Sequence, residues 1–271
     1  MKKVKQLAVL NFIFFVIAFA VANLSQLKIF GGVTNADISN KYETVFTPAG
    51  ITFAIWGVIY LSLFGFTIYH LIKAFKDHEQ SEANQALLKI GNLFIINNMA
   101  TTFWVFAFAY EYLLLSMILI IIQLITLLMI SIKLNIFDIH KTFYNKLFTQ
   151  FPLSIYFSWL CVATIANVSV YLISIGFKGI NNLGEAEFAI VMIFIAILVS
   201  LFITSVKKNP FFALVTIWAL YGIQLKRQQI DAIQFENNIR FCFFGMSLLA
   251  VILLIQWYLN IKNKPKSIVD N

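Results

Sequence analysis

The chain reads as an all-α, polytopic bundle of transmembrane helices with about eight spans. Three observations predict this. The first is composition. Of 271 residues, 61% are hydrophobic and 12% charged, against roughly 45–50% and about 25% in a soluble domain. The second is length: apolar residues gather in near-continuous runs close to the roughly 20 residues that a helix needs to cross the hydrocarbon. These runs do not alternate as barrel strands do. The third is where the charges sit. Lysines fall mainly between the runs, as topology signals do, and the mean hydropathy is +0.85.

Eight spans follow in order, over residues 7–23, 49–73, 87–110, 113–133, 147–175, 188–206, 210–225 and 241–261. The first follows the basic start MKKVKQ. Its long AVLNFIFFVIAFAVA core, with only VANLSQ as a weak cleavage site, marks it as a retained span and not a signal peptide. Pro48 suits the first turn of the second span, where its missing N–H costs nothing. Spans three and four are separated by little more than Glu111 and Tyr112, so they must be antiparallel neighbours. The seventh run is short, and its flank LKRQQIDAIQFENNIR also reads as an interfacial amphipathic helix. The segment 25–46 is a long loop with Gly31–Gly32 and Asn/Asp/Ser turn chemistry.

With the N-terminus in the cytoplasm, the inner segments hold Lys2, Lys3, Lys5, Lys73, Lys76, Lys89, Lys133, Lys141, Lys146, Lys207, Lys208, Lys262, Lys264 and Lys266. The outer segments hold Lys28, Lys41, Lys178, Lys226, Arg227 and Arg240, which completes the 20 basic residues. This asymmetry puts both termini in the cytoplasm of a multi-pass cell-membrane protein. It also assigns the net charge of +8 to topology and not to nucleic acid.

Catalytic groupings are missing from the pattern. No span carries a central charged residue, and His70 lies near the inner end of span two. His78 and His140 sit among charged loop residues, and Cys161 and Cys242 are isolated in apolar runs. No metal-ligand spacing, nucleophile–base order or CxxC occurs. We therefore expect no enzyme, no catalytic residue and no metal site.

What the spans offer instead is aromatic and amide side chains. Trp56 and Tyr60 are four apart and share a helix face. Asn97, Thr101 and Trp104 run along one stripe of span three, with Asn98 and Thr102 beside it. Trp159, Ala163 and Asn167 repeat every four residues in span five, with Thr164 adjacent. Taken singly, each has a plain reading: aromatic belts at the membrane interface, or Asn and Thr as interhelical hydrogen-bond glue. Together they put a Trp and a hydrogen-bonding group on one face of three spans. Converging faces of that kind would line an amphipathic pocket for a flat ligand.

These residues resemble the tryptophan-rich sensory protein / translocator protein (TspO/MBR) family. Pro48, Trp56 and Tyr60 keep the Pro-to-Trp-to-Tyr order of the family's second span. Trp159, Ala163, Thr164 and Asn167 match the fifth-span pattern W-x-x-x-A-T-x-x-N. Asn97 or Asn98 with Trp104 is similar to the third span at longer spacing. The loop ADISNKYETVFTPAG departs from the family's Trp-Tyr and Lys-Pro pairs, Pro152 falls about a turn early, and three spans follow the family's five.

The resemblance implies a five-helix domain over 1–175, with three added helices and a basic tail over 176–271. It also implies a pocket for a porphyrin-, haem- or sterol-like molecule, no required cofactor, and homodimers as a common assembly. The expected site is Trp56, Tyr60, Asn97, Asn98, Trp104, Trp159, Ala163 and Asn167, between spans one, two, three and five, with 25–46 as lid. The expected partners are the bilayer and a hydrophobic small molecule in a sensory or transport role. The alternatives are a permease for a small hydrophobic solute and a structural protein whose Trp and Asn only pack helices.

Overall fold

The structure, a computed structural model, describes residues 1–136, 138–177 and 184–263. Lys178, Lys264, Lys266 and the basic tail beyond residue 263 lie outside them. The elements are α1 (Lys2–Gln26), α2 (Asn35–Lys41), a 3-10 turn (Gly50–Ala54), α3 (Ile55–Lys76), α4 (Glu82–Ile90), α5 (Leu93–Ala109) and α6 (Leu113–Leu134). They continue as α7 (Phe143–Asn145), a π-helical turn (Lys146–Gln150), α8 (Phe151–Ser174), α9 (Glu185–Val206), α10 (Pro210–Asp231) and α11 (Glu236–Lys262). All are helical.

Among the described residues six helices are long and apolar enough to cross a membrane, and a seventh crossing is the bent pair α4 and α5. The eighth expected span, α10, is not among them. Its 22 residues carry Lys226, Arg227 and Asp231 in the last turns, which lowers its hydropathy. The polar stretch after Leu225 therefore continues the same helix to Asp231 instead of lying as a separate interfacial one.

Hydrogen bonds sort the helix ends into two groups. At one end the Met1 amino group pairs with Glu79, Lys141 pairs with Glu82 at 3.5 Å, Asn209 Nδ2 donates to Ser154 Oγ (2.9 Å), and Asn260 Nδ2 donates to the Lys208 carbonyl (2.9 Å). At the other, Lys41 meets Glu111, Arg227 meets Glu43 at 2.6 Å, the Val45 N–H donates to Glu185 (3.0 Å), and Asn238 donates to the Ala186 carbonyl (2.9 Å). The chain start and the end of α11 thus share the first end, and α10 runs the full length between the two.

Span three is broken where the sequence reads as one run. Ser81 caps α4 by accepting from the Asn84 N–H, and Gly91, at φ +56°, ends it in a conformation that a side chain disfavours. α5 then leaves at 56°. The 25–46 segment is not all loop either. Thr34 and Asp37 form a reciprocal capping box that starts α2.

α8 is the axis of the bundle. Of the most apolar stretch of Phe143–Ser174, 72% is buried, against 22–39% for the other spans. A helix apolar on all sides must be covered on all sides. α3 and α6 cover one part and α9 and α10 the rest, so one apolar core runs from Phe15 through Trp159 to Phe212 and Leu249. The three C-terminal helices therefore pack onto the bundle and form no separate lobe.

Candidate functional site

A cavity of about 670 Å³ opens between α1, α3, α5, α6 and α8, beneath α2. That size is ordinary for a small-molecule site. Trp56, Tyr60, Trp104, Trp159, Ala163 and Asn167 all line it. Three sequence-distant spans therefore bring six of the eight expected residues to one hollow. The indole rings of Trp56 and Trp159 meet edge to face at 6.2 Å, and Trp56 stacks on Tyr60 at 5.3 Å. Trp104 stacks on Phe108 at 5.1 Å across the cavity's α5 wall.

Asn97 and Asn98 are not among the lining residues. Asn97 is buried in a network below the floor. Its Nδ2 donates to Thr126 Oγ1 (2.9 Å) and the Gln123 carbonyl (3.0 Å), while its Oδ1 accepts from the Tyr156 hydroxyl (2.9 Å). Asn98 turns back on its own helix and donates to the Phe94 carbonyl (2.7 Å). Asn97 fits the glue reading, since it ties α5 to α6 and α8, whereas Asn98 bonds within its own helix.

Several lining residues were not in the expected site, Thr101 among them although it lies on the stripe of Asn97 and Trp104. Thr101 and Gln123 form the polar floor, where Thr101 Oγ1 donates to Gln123 Oε1 at 2.9 Å. A Gln inside the apolar run of α6 is the signal that could have found it. Phe53 packs edge-on to Trp159 at 6.4 Å, and Phe19 edge-on to Tyr60 at 5.4 Å. Asn35, Ala36 and Ser39 of α2 line the cavity from above, as the lid expectation requires.

Two polar features set the site's electrostatics. Inside, the indole N–H groups of Trp104 and Trp159 are buried with no hydrogen-bond partner, although Trp159 is only 2% exposed. At the lid, ion pairs pin α2 and its flanks: Lys28–Asp37 at 3.0 Å, Lys41–Glu111 at 2.5 Å and Arg227–Glu43 at 2.6 Å. The Thr34 backbone N–H holds the Asp37 carboxyl below its usual range, with help from Lys28. Hydrogen bonds from Lys41 and Tyr42 do the same for Glu111. Lys41 is raised in turn by Glu111.

The 3-10 turn that delivers Phe53 and Trp56 is held by α10. The Ala49 N–H donates to the Gly222 carbonyl (2.9 Å), and Trp218 Nε1 donates to the Thr52 carbonyl (2.9 Å). Gly222 is required here, because a Cβ would collide with Thr52.

Fold and cavity together define a polytopic membrane protein with an aromatic hollow inside its helical bundle. A family model described as TSPO-like protein matches residues 8–257, nearly the whole chain, and the chain belongs to that family. The matched stretch ends inside α11, so it includes the three helices that follow the first five spans. No curated protein and no solved structure matches the chain.

Proposed function

We propose that this membrane protein binds a flat, amphipathic hydrophobic molecule, tetrapyrrole- or sterol-like in shape, in the cavity beneath α2, in a sensory or carrier role. One observation carries the reading: Trp56, Tyr60, Trp104, Trp159, Ala163 and Asn167 surround a single 670 Å³ hollow. Aromatic faces supply area without much conformational entropy to lose, and a few amides fix orientation. Binding without chemical conversion is part of this proposal. So is a cell-membrane location with both termini cytoplasmic, supported by Lys2, Lys3, Lys5, Lys207 and Lys208 at the helix ends that share the chain start.

Tryptophan fluorescence tests the proposal in nanodiscs. Protoporphyrin titration should give saturable quenching, and Trp159→Ala should weaken both the quenching and the apparent affinity. Linear quenching that matches free tryptophan analogues in lipid would remove the proposal.

A further inference from the structure

The two ends of the bundle treat their basic residues differently. At the lid end Lys28 meets Asp37, Lys41 meets Glu111, Lys226 and Arg227 meet Glu43, and Arg240 meets Glu236. At the end that holds the chain start, Lys2, Lys3, Lys76, Lys207, Lys208 and Lys262 meet no carboxylate among the described residues. Acids there are already engaged, Asp77 by Lys73, Glu79 by the Met1 amino group and Glu82 by Lys141. Counter-charge for these lysines must come from outside the chain.

Two of them stand over a groove. It measures about 500 Å³ and is lined by Lys2, Lys3, Gln6, Leu7 and Leu10 of α1 and by Asn92, which follows the break at Gly91. We propose that this groove seats one anionic phospholipid. The site is separate from the cavity beneath α2 and shares no lining residue with it, so it does not rest on the ligand reading above.

The lining changes along α1 in the order that a phospholipid does. Lys2 and Lys3, exposed at the helix start, suit the phosphate. Gln6 and Asn92 are exposed amides that can donate to the ester oxygens. Leu7 and Leu10 continue toward the hydrocarbon, with Leu10 about 10 Å along the helix from Lys3. Leu7 is buried in a cluster with Ala74 and Leu87, so α3 and α4 hold the apolar floor in place. Basic pockets between membrane helices hold anionic headgroups in this way. A free phosphate would use the lysines and leave the apolar part unfilled, which favours the lipid.

Native mass spectrometry of the full chain, released from micelles holding equal phosphatidylglycerol and phosphatidylcholine, reads the occupant. One phosphatidylglycerol should stay bound in preference. Lys2→Gln with Lys3→Gln should weaken its binding about thirtyfold, at about fivefold for each lysine. Lys207→Gln with Lys262→Gln removes the same charge away from the groove and should leave that lipid in place. All four positions are exposed, so both double variants should keep the unfolding midpoint of the parent.

Equal retention of the two lipids, or equal loss in the two double variants, would overturn the proposal, because diffuse charge would then explain the binding. Displacement of the lipid by inorganic phosphate would make the occupant a free anion. A lipid-free dimer that disappears in Lys2→Gln with Lys3→Gln would make it a second copy of the chain. Either result would overturn the proposal as well.

Discussion

The two sides of α8 are built from neighbouring residues and end in opposite states. Trp159, Ala163 and Asn167 face a hollow, whereas Phe157 and Ser158 face α10 across close contact. On the α10 side the small Ser158 lets the helices approach until its hydroxyl bonds the Phe212 carbonyl at 3.2 Å, and Phe157 packs edge-on to Phe212 at 5.1 Å. On the other side a bulky ring, a methyl and an amide follow each other at one-turn spacing. The rings of Trp56 and Trp159 brace each other as a wall while Ala163 leaves the space beside them open. The difference shows that stiffness on one side of a helix supports a gap on the other. It assigns α9–α11 the role of backing for the cavity.

The largest effect is expected where the backing is cut. Phe212, 1% exposed, fills the α8–α10 contact. Phe212→Ala should cost about 3–5 kcal/mol, read as a lowered unfolding midpoint in mild detergent, with ligand response lost as the wall relaxes. A stability change inside error would mean that α10 does not brace α8. Gly222→Val should follow, at about 1–3 kcal/mol from overpacking. Thr52 Cβ and Cγ2 lie 2.9 Å from where a Cβ would stand, and the displaced turn carries Phe53 and Trp56. Quenching by a flat ligand should weaken in step with stability.

This contrast was half legible in the sequence. The period-four run from Trp159 to Asn167 and the pair Trp56 and Tyr60 identified the cavity side, because helical spacing alone decides which residues share a face. The match to the TSPO-like family over 8–257 agrees with the resemblance drawn from those residues. Asn97 was placed with the site because it sits on the stripe of Trp104, and Asn98 because it lies beside that stripe. One turn decides whether an amide reaches a cavity or its neighbouring helix, and the choice rests on Gln123, Thr126 and Tyr156 from other elements. The break at Gly91 was hidden by the unbroken hydropathy around it. The burial of Arg227, 3% exposed and bonded to Glu43, was hidden by its place in a polar flank. Long-range partners of this kind leave no local pattern.

On the hollow side the same logic predicts loss of binding with little loss of fold. Ala163→Leu adds a side chain into open space and not into packing, so stability should move by no more than about 0.5 kcal/mol, while saturable quenching disappears. A large drop in the unfolding midpoint instead would show that Ala163 stands in close packing, and the comparison between the two sides would fail.

The smallest effect concerns the lid, whose Lys28–Asp37 and Lys41–Glu111 pairs are exposed and screened by salt. Asp37 and Glu111 titrate below their ordinary 3.8 and 4.5 because their charged forms are hydrogen-bonded in the fold. A depressed carboxyl contributes its stabilisation above the unfolded value and loses it as pH falls through the folded one. α2 should therefore stay docked from neutral pH down to about pH 5 and loosen below about pH 4. Lys41, raised by Glu111, contributes below its ordinary 10.5 and releases only above the raised value. A spin label at Asn40→Cys reads the motion directly. Its mobility should rise on acidification, and Glu111→Gln should raise it already at neutral pH. Labels on α10 near Phe212 should stay unchanged throughout, since among the described residues no ion pair joins α10 to α8, and its pairs with Glu43 lie at the opposite end of the helix. Equal loosening on both sides would mean that acid unfolds the bundle as a whole and that α2 is no independent cover.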